Sequence, residues 1–194
     1  FIEDADEASG ISDKNLARAS ELIKSFKLVA VEQSTNEQRI IDFHAYLHDV
    51  VLSLKPTYKK GKHQVTITSE GDWQLSTYPG SWAQIVTNLV TNSVLHGFDG
   101  KTHGQITICA DLVGQMMEFT YTDDGLGMSD EVQANLFKPF YTTKKDRGGS
   151  GLGMHLVQEI VQVKFNGEIS CKSAMGQGVQ FVIKVPVLQE IGEA

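Results

Sequence analysis

The residues of this chain that could do chemistry are concentrated between positions 88 and 154, and an acidic turn is prominent among them. Asp123 follows an alternating strand and begins the run Asp-Asp-Gly-Leu-Gly-Met, which ends at Met128. A carboxylate there accepts a hydrogen bond from an exocyclic amine, which adenine carries at the ring edge where guanine does not. Gly125 and Gly127 let the backbone approach a flat base closely, and Leu126 or Met128 can pack on its face. The turn therefore predicts a purine site, although an ordinary hairpin is the alternative for such a turn taken alone.

A second glycine-rich segment predicts a binding site for phosphate. The run Gly149-Ser150-Gly151-Leu152-Gly153 leads directly into a helix. Successive amides without intervening side chains, at the N-terminus of a helix, form an anion site. Between positions 138 and 147 there is one acid against four basic residues, namely Lys138, Lys144, Lys145 and Arg147. Such a cluster is usually a solvated loop, but beside this segment we expect it to contact phosphate.

Two asparagines predict a metal ligand. Asn88 and Asn92 are four residues apart on a predicted helix, which places both carboxamides on one face. Asparagine is a mediocre helix former, so a pair of them on one face needs a reason. Either they are satisfied polar residues at the helix surface, or an amide oxygen serves Mg²⁺, which prefers oxygen ligands and shares its remaining sites with water and phosphate.

The elements that must position these residues follow from periodicity and from the placement of proline and glycine. Alternating apolar and polar residues predict strands, and apolar residues that recur every three or four positions predict helices. Helices alternating with mostly hairpin-connected strands indicate an α/β fold, a two-layer sandwich with helices on one face of a mixed sheet. The predicted helices are 42–54, 80–96, 130–135 and 152–163, and the predicted strands are 65–68, 73–77, 106–110, 117–122, 168–171 and 179–185.

A further helix is predicted near the N-terminus. Apolar residues recur at spacings of three and four from Leu16 to Ala30, which is typical of a helix with a bundle seam. The helix packs either on its own domain or on a partner helix. Because the chain opens with Phe1 and has no initiator Met, we expect it to be a piece of a longer protein.

Composition narrows the function classes. The 194 residues have a net charge of −7, which argues against a general nucleic-acid binder. No apolar run reaches the roughly 20 residues needed to span a bilayer, and nothing resembles a signal peptide. Cys109 and Cys171 lack metal or redox spacing, so we expect free thiols and a cytoplasmic location, with membrane attachment of the full-length protein left open.

With these pieces in this order, the sequence resembles the ATP-binding catalytic domain of bacterial sensor histidine kinases. That group is part of the wider family that includes gyrase, the large heat-shock chaperone and mismatch-repair ATPases. Four segments carry the resemblance: Asn88 to His96 is similar to the N box, Asp123 to Gly127 to the first glycine box, Phe137 to Phe140 to the F box, and Gly149 to Gly153 to the second glycine box. The resemblance implies a Bergerat-type sandwich over residues 37–190, with residues 1–36 as a remnant of the dimerisation hairpin.

The resemblance also implies roles for individual residues. Asn92 resembles the Mg²⁺ ligand and Asp123 the adenine anchor, and the segment from Phe137 to Ser150 is similar to a mobile lid over ATP. Asn88, Asn92 and Lys144 are the implied catalytic residues. The implied ATP contacts are Asn88, Asn92, His96, Asp123, Gly125, Gly127, Met128, Phe140, Tyr141, Thr142, Lys144, Lys145, Arg147, Gly149, Ser150, Gly151, Leu152 and Gly153. Leu95 stands where sensor kinases usually have a basic residue, so an α-phosphate contact is missing or comes from the lid.

One position discriminates within the family. The ATPases carry a glutamate as general base where this chain has Asn88, which cannot take a proton at neutral pH. We therefore expect a protein-histidine kinase whose phosphoacceptor helix is absent from this chain, so that the chain alone does not autophosphorylate. The implied partners are ATP, that helix, a response-regulator receiver domain and a second subunit in a full-length homodimer. An ATPase with a lid-driven cycle and a nucleotide-sensing pseudokinase are the alternatives.

Overall fold

The structure is a computed structural model of the chain, and it describes residues 37–69, 73–144 and 149–187. The predicted helix at 11–31, and with it the predicted N-terminal unit 1–36, lies outside the described residues. Lys145 and Arg147 of the predicted phosphate-binding cluster also lie outside them.

A five-stranded mixed sheet forms one layer of the described part. The described residues form seven strands, five in this sheet and two, β1 and β3, in a separate small sheet. In chain order they are β1 (Arg39–Asp42), β2 (Gln64–Ile67), β3 (Gln74–Thr77), β4 (Gln105–Val113), β5 (Met116–Asp123), β6 (Glu168–Ser173) and β7 (Val179–Pro186). The large sheet has the order β2-β4-β5-β7-β6. Only β2 and β4 run parallel in it, and the other neighbours are antiparallel. Along β5 the residues Met117, Phe119, Tyr121 and Asp123 share the buried face, because side chains alternate along a strand.

Helices cover that buried face. The helices of the described part are α1 (Phe43–Ser53), α2 (Lys55–Lys59), α3 (Pro79–Asn92), α4 (Asp130–Asn135) and α5 (Gly153–Glu159), and all of them except α4 have buried residues. The π-turns at Ser93–Gly97 and Ile160–Lys164 extend α3 and α5. Helix α3 contacts both α1 and α5. Its Trp82 ring lies 5.1 Å from Phe43 of α1, 5.3 Å from Phe119 of the sheet and 5.0 Å from Phe165. Within the described residues no helix is long and apolar enough to cross a bilayer.

The predicted sandwich of helices on one face of a mixed sheet is confirmed, and so are several element ends. Asp42 caps α1 by accepting a hydrogen bond from the Ala45 amide at 2.9 Å. Ser129 caps α4, since the Val132 amide donates to the Ser129 hydroxyl at 3.4 Å. The helices predicted at 80–96 and 152–163 are present, but each ends in a π-turn, which periodicity alone did not predict.

The first described residues hold two features that the sequence did not predict. Strand β3 pairs with β1 in a separate two-stranded sheet and does not join the large sheet beside β2. Strand β1 was missed because it has only four residues and joins α1 directly. The first helix ends before Pro56, as its predicted range 42–54 implies, and Pro56 then lies in the first turn of the short helix α2, a position that tolerates the missing amide.

Candidate nucleotide-binding site

The C-terminal half of α3 and its π-turn touch all three of the other predicted motifs. A methyl group built on Gly153, at the start of α5, would lie 3.2 Å from the Asn88 amide oxygen. The Leu126 amide, in the first glycine turn, donates to the Gly97 carbonyl at 2.8 Å. His96 Nδ1 lies 3.2 Å from the Thr143 hydroxyl in the predicted lid. The structure therefore brings together four segments that are far apart in sequence, with α3 at their centre.

Asn88 and Asn92 lie one turn apart at this centre, and both are half-buried. The Asn88 amide nitrogen is buried and has no hydrogen-bond partner among the described residues. An orphaned buried amide costs free energy, so its presence indicates a missing polar partner. Together with the neutral oxygens of both amides, it fits the oxygen-rich surroundings that a magnesium ion, its waters and phosphate groups would supply.

Asp123 ends β5 as predicted, and its carboxylate is held from two sides. Its side chain is buried, with 4% of the residue exposed. The Ser93 hydroxyl donates to Oδ2 at 2.5 Å, and the Gly125 amide donates to Oδ1 at 2.9 Å. Two hydrogen bonds compensate for burying the charge. A methyl group on Gly97 would lie 3.4 Å from Oδ2, so this carboxylate faces the end of α3.

Tyr121 extends the buried hydrogen bonds of Asp123 through Ser93. Its hydroxyl lies 2.7 Å from the Ser93 hydroxyl, and both residues are buried. Burial raises the pKa of Tyr121 well above its ordinary value, and the nearby Asp123 charge acts in the same direction, against the Ser93 hydrogen bond. Sequence reasoning missed both residues. Tyr121 had a signal, because a residue two positions before Asp123 on a strand shares its face.

The glycines of the first turn have a structural reason that sequence reasoning did not give. A methyl group on Gly125 would lie 2.7 Å from the Gly97 carbonyl oxygen, so this turn packs directly against the end of α3. A methyl group on Gly127 would overlap the Ala174 carbonyl, and Gly127 has a φ of 68°. Close packing of backbone segments requires both glycines, and their contact with a base remains a prediction.

Asp124, the second acid of the turn, is engaged away from Asp123. Its Oδ2 lies 2.8 Å from the Lys101 ammonium, and its Oδ1 accepts from the Gln105 amide at 2.7 Å. Burial would raise the pKa of Asp124, but the hydrogen bonds from Lys101 and Gln105 and the Lys101 charge outweigh it and leave the pKa lowered. Asp124 therefore fixes the turn to the start of β4.

Lys144 and Gly149, both within the predicted lid, are hydrogen-bonded to each other. The Gly149 amide donates to the Lys144 carbonyl at 3.2 Å, and the Lys144 amide donates to the Thr142 hydroxyl at 3.1 Å. Phe140 has a φ of 64° and is 63% exposed. A methyl group on Gly151 would lie 2.5 Å from the Phe140 carbonyl carbon, so the F box packs on the second glycine box. Non-glycine residues in this conformation are strained, and such strain often occurs in segments that rearrange.

Lys144 is paired in this structure, which sequence reasoning did not predict. Its ammonium lies 2.6 Å from the Asp99 carboxylate, with the two side chains 17% and 43% exposed. Beside it, burial lowers the pKa of His96, and the Lys144 charge lowers it further against the opposing effect of Asp99. The neutral form of His96 is therefore favoured. A phosphate that binds Lys144 would have to compete with Asp99.

The remaining residues predicted to contact ATP lie in the first glycine turn, the lid and the second glycine box. Met128 is held by its amide, which donates to Ser173 at 2.8 Å. Tyr141, Ser150 and Leu152 are half-buried in the lid and the second glycine box. Their nucleotide contacts stay predictions.

Comparison with known sequences identifies a family for most of this region. Residues 78–189 match the family described as histidine kinase-, DNA gyrase B- and HSP90-like ATPase. Sporulation kinase B from Bacillus subtilis is 31% identical over 173 residues, which are 88% of this chain and 39% of that protein. The sensor histidine kinase RppB from Synechocystis is 32% identical over 108 residues, which are 54% of this chain and 23% of that protein. The chain spans between 17% and 23% of the first curated relatives that it matches.

Solved structures confirm the Bergerat-type fold. Full-length ShkA, determined in complex with AMPPNP, superposes with a TM-score of 0.69 at 20% identity, over 79% of this chain and 32% of that chain. Histidine kinase ThkA, determined in complex with the response regulator protein TrrA, gives a TM-score of 0.66 at 18% identity, over 89% of this chain and 50% of that chain.

Proposed function

Because this chain belongs to the histidine kinase-, DNA gyrase B- and HSP90-like ATPase family, we propose that it is the ATP-binding catalytic domain of a two-component sensor histidine kinase. In the intact protein it binds Mg-ATP and donates the γ-phosphoryl to a histidine on a separate helix, for relay to an aspartate of a response regulator. The names of its relatives, and neighbours solved with AMPPNP and with a response regulator, support this proposal.

The observation that carries the proposal is the convergence of the motifs on the end of α3. Asn88 meets the second glycine box at Gly153, and His96 meets the lid at Thr143. Asp123 is buried beneath the same helix end with both oxygens oriented by donors. This arrangement offers an acceptor for the adenine amine at one end and amides for phosphate at the other.

The side-chain oxygen of Asn92 would hold Mg²⁺, and Asn88 would bond to the water or phosphate beside it. The buried, unpartnered Asn88 amide supports this fit. When bound, Mg²⁺ neutralises negative charge on the transferring phosphoryl group. Lys144 adds a positive charge once a phosphate displaces Asp99 from it. The chain's own contribution is therefore positioning and charge compensation.

The absence of a general base at position 88 favours a kinase over an ATPase. Asn88 cannot accept a proton, and the two carboxylates of the first glycine turn are engaged, Asp123 with Ser93 and Asp124 with Lys101. Without a base, bound water is not activated, and ATP is held until an acceptor histidine arrives.

Phosphotransfer to a separately produced acceptor hairpin tests the proposal. Radiolabelled ATP and Mg²⁺ should leave the chain itself unlabelled and should label the hairpin, and Asn92→Ala should abolish labelling. The phosphate should be stable to base and lost in acid; the reverse, as for phosphoserine, would refute a histidine acceptor. Steady ATP turnover by the chain alone would instead select the ATPase. Nucleotide binding without transfer in the full-length protein would select a nucleotide-sensing module.

The boundaries and setting of this domain are part of the same proposal. Residues 37–190 form the catalytic domain, and residues 1–36 derive from a dimerisation hairpin. The domain works in the cytoplasm, and the full-length protein that contains it is a homodimer. Limited proteolysis with mass analysis tests the boundary, since cleavage near residue 36 should leave a fragment that still binds ATP.

A further inference from the structure

A chain of three buried polar side chains lies beneath the proposed adenine pocket. Tyr121, Ser93 and Asp123 are 0%, 3% and 4% exposed. The tyrosine and serine oxygens are 2.7 Å apart, and the serine oxygen is 2.5 Å from Asp123 Oδ2. Ser93 lies within the segment that resembles the N box, but the resemblance assigned no role to Ser93 or to Tyr121.

The direction of these hydrogen bonds is fixed by proton counting. An ionised carboxylate only accepts, so Ser93 must use its single proton on Asp123. The Ser93 oxygen can then only accept from Tyr121. Burial keeps the Tyr121 hydroxyl protonated, because its pKa is raised well above the ordinary value. Tyr121 is therefore a permanent donor at the far end of the chain.

We propose that Ser93 and Tyr121 are positioning residues that set base selectivity, by holding Asp123 as an acceptor aimed at the 6-amino group of adenine. This inference rests on the proposed function. Oδ1 is fixed by the Gly125 amide and Oδ2 by Ser93, so the carboxylate cannot rotate freely. A purine with a 6-oxo group would place two acceptors against each other in a buried site, which is strongly disfavoured. Without Ser93, the Asp123 side chain can turn away from the base, and the site then tolerates a 6-oxo purine.

Calorimetric titration of the whole chain with ATP and with inosine triphosphate, in Mg²⁺, tests this inference. The two nucleotides differ at position 6 of the base, amino against oxo. The wild type should bind ATP about 100-fold more tightly, and Ser93→Ala should reduce that ratio about tenfold, mostly by weakening ATP. Tyr121→Phe should reduce it less, and Ser93→Thr, which keeps the hydroxyl, should restore it. Ser81→Ala is the matched control, because Ser81 is equally buried on α3 but bonds Lys164.

The outcomes separate this inference from the proposed function. If the wild type binds neither nucleotide, the proposed function fails, and the inference fails with it. If the wild type selects ATP but folded Ser93→Ala keeps the same ratio, only the inference is overturned. An equal change in Ser81→Ala, or no restoration by folded Ser93→Thr, also overturns it by reducing the effect to general destabilisation. If Ser93→Ala does not fold, an unchanged ratio of ATP affinity to inosine triphosphate affinity in Tyr121→Phe overturns the proposed role of the hydrogen-bonded side chains.

Discussion

Replacing Asp99 by asparagine should tighten the binding of ATP. Asp99 Oδ2 lies 2.6 Å from the Lys144 ammonium, and Lys144 is the lid cation that we expect to contact phosphate. Asp99 and the triphosphate would therefore compete for one positive charge. Asparagine keeps the size of the side chain and removes the competing charge.

The size of the effect follows from the exposure of the pair. The Lys144 side chain is 17% exposed and the Asp99 side chain 43%, so solvent screens the pair only in part. Exposed pairs contribute up to about 1 kcal/mol, and a pair with one largely buried partner should lie near that upper value. About 1 kcal/mol corresponds to about fivefold tighter binding of ATP.

Calorimetry in low salt with Mg²⁺ checks the prediction, with Asp111→Asn as the control for the change in net charge. Asp111 lies in β4 and is exposed, so its removal should change ATP affinity much less. Lys144→Gln should weaken binding, and Asp99→Asn should add nothing in that background, because the competition requires the ammonium. Weaker binding in Asp99→Asn alone would refute the reasoning, since it would mean that Asp99 orients Lys144 toward the phosphate.

Three other predictions concern the metal, the fold and pH. Asn92→Ala should weaken ATP binding in Mg²⁺ by at least about tenfold and should leave binding in EDTA unchanged. Loss of a group that only orients a metal ligand already costs about tenfold, and loss of a ligand itself should cost at least as much. Gly127→Ala should lower the free energy of unfolding by about 2 kcal/mol or more in urea titrations, whereas Gly114→Ala, which shares a positive φ but has open space around it, should cost about 1 kcal/mol. Burial lowers the pKa of His63, so the folded state favours neutral histidine; the melting temperature should be steady above about pH 6.5 and fall below it, less steeply in His63→Gln.

The layer architecture was predictable because it depends on repeated local patterns. Strands β4 and β5 alternate cleanly, and α3 is bounded by Pro79 and Gly97. The pairing of β1 with β3 was not predictable, because two four-residue strands lack a pattern long enough to show which partner each one takes. The π-turns also carry no local signal, since their hydrogen bonds, such as Phe98 to Ser93, depend on packing.

The candidate site was predictable where function constrains residue type and spacing. Asn88, Asn92 and Asp123 were predicted from chemistry that few other residues could supply, and the structure brings their segments together, while their ligand roles stay predictions. Ser93 and Asp99 were missed because serine and aspartate are common residues, and their importance lies in the neighbours that only the tertiary fold provides. Gly125 was predicted to let the backbone approach a purine base, and the structure gives a second reason for it, since Gly125 packs against Gly97.

Titration of the purified chain with ATP, with and without Mg²⁺, tests the central claim most directly. We expect one ATP to bind per chain, with affinity strengthened by Mg²⁺, with GTP bound far more weakly, and with no steady release of phosphate. Failure to bind ATP, or equal affinity for GTP, would contradict the account.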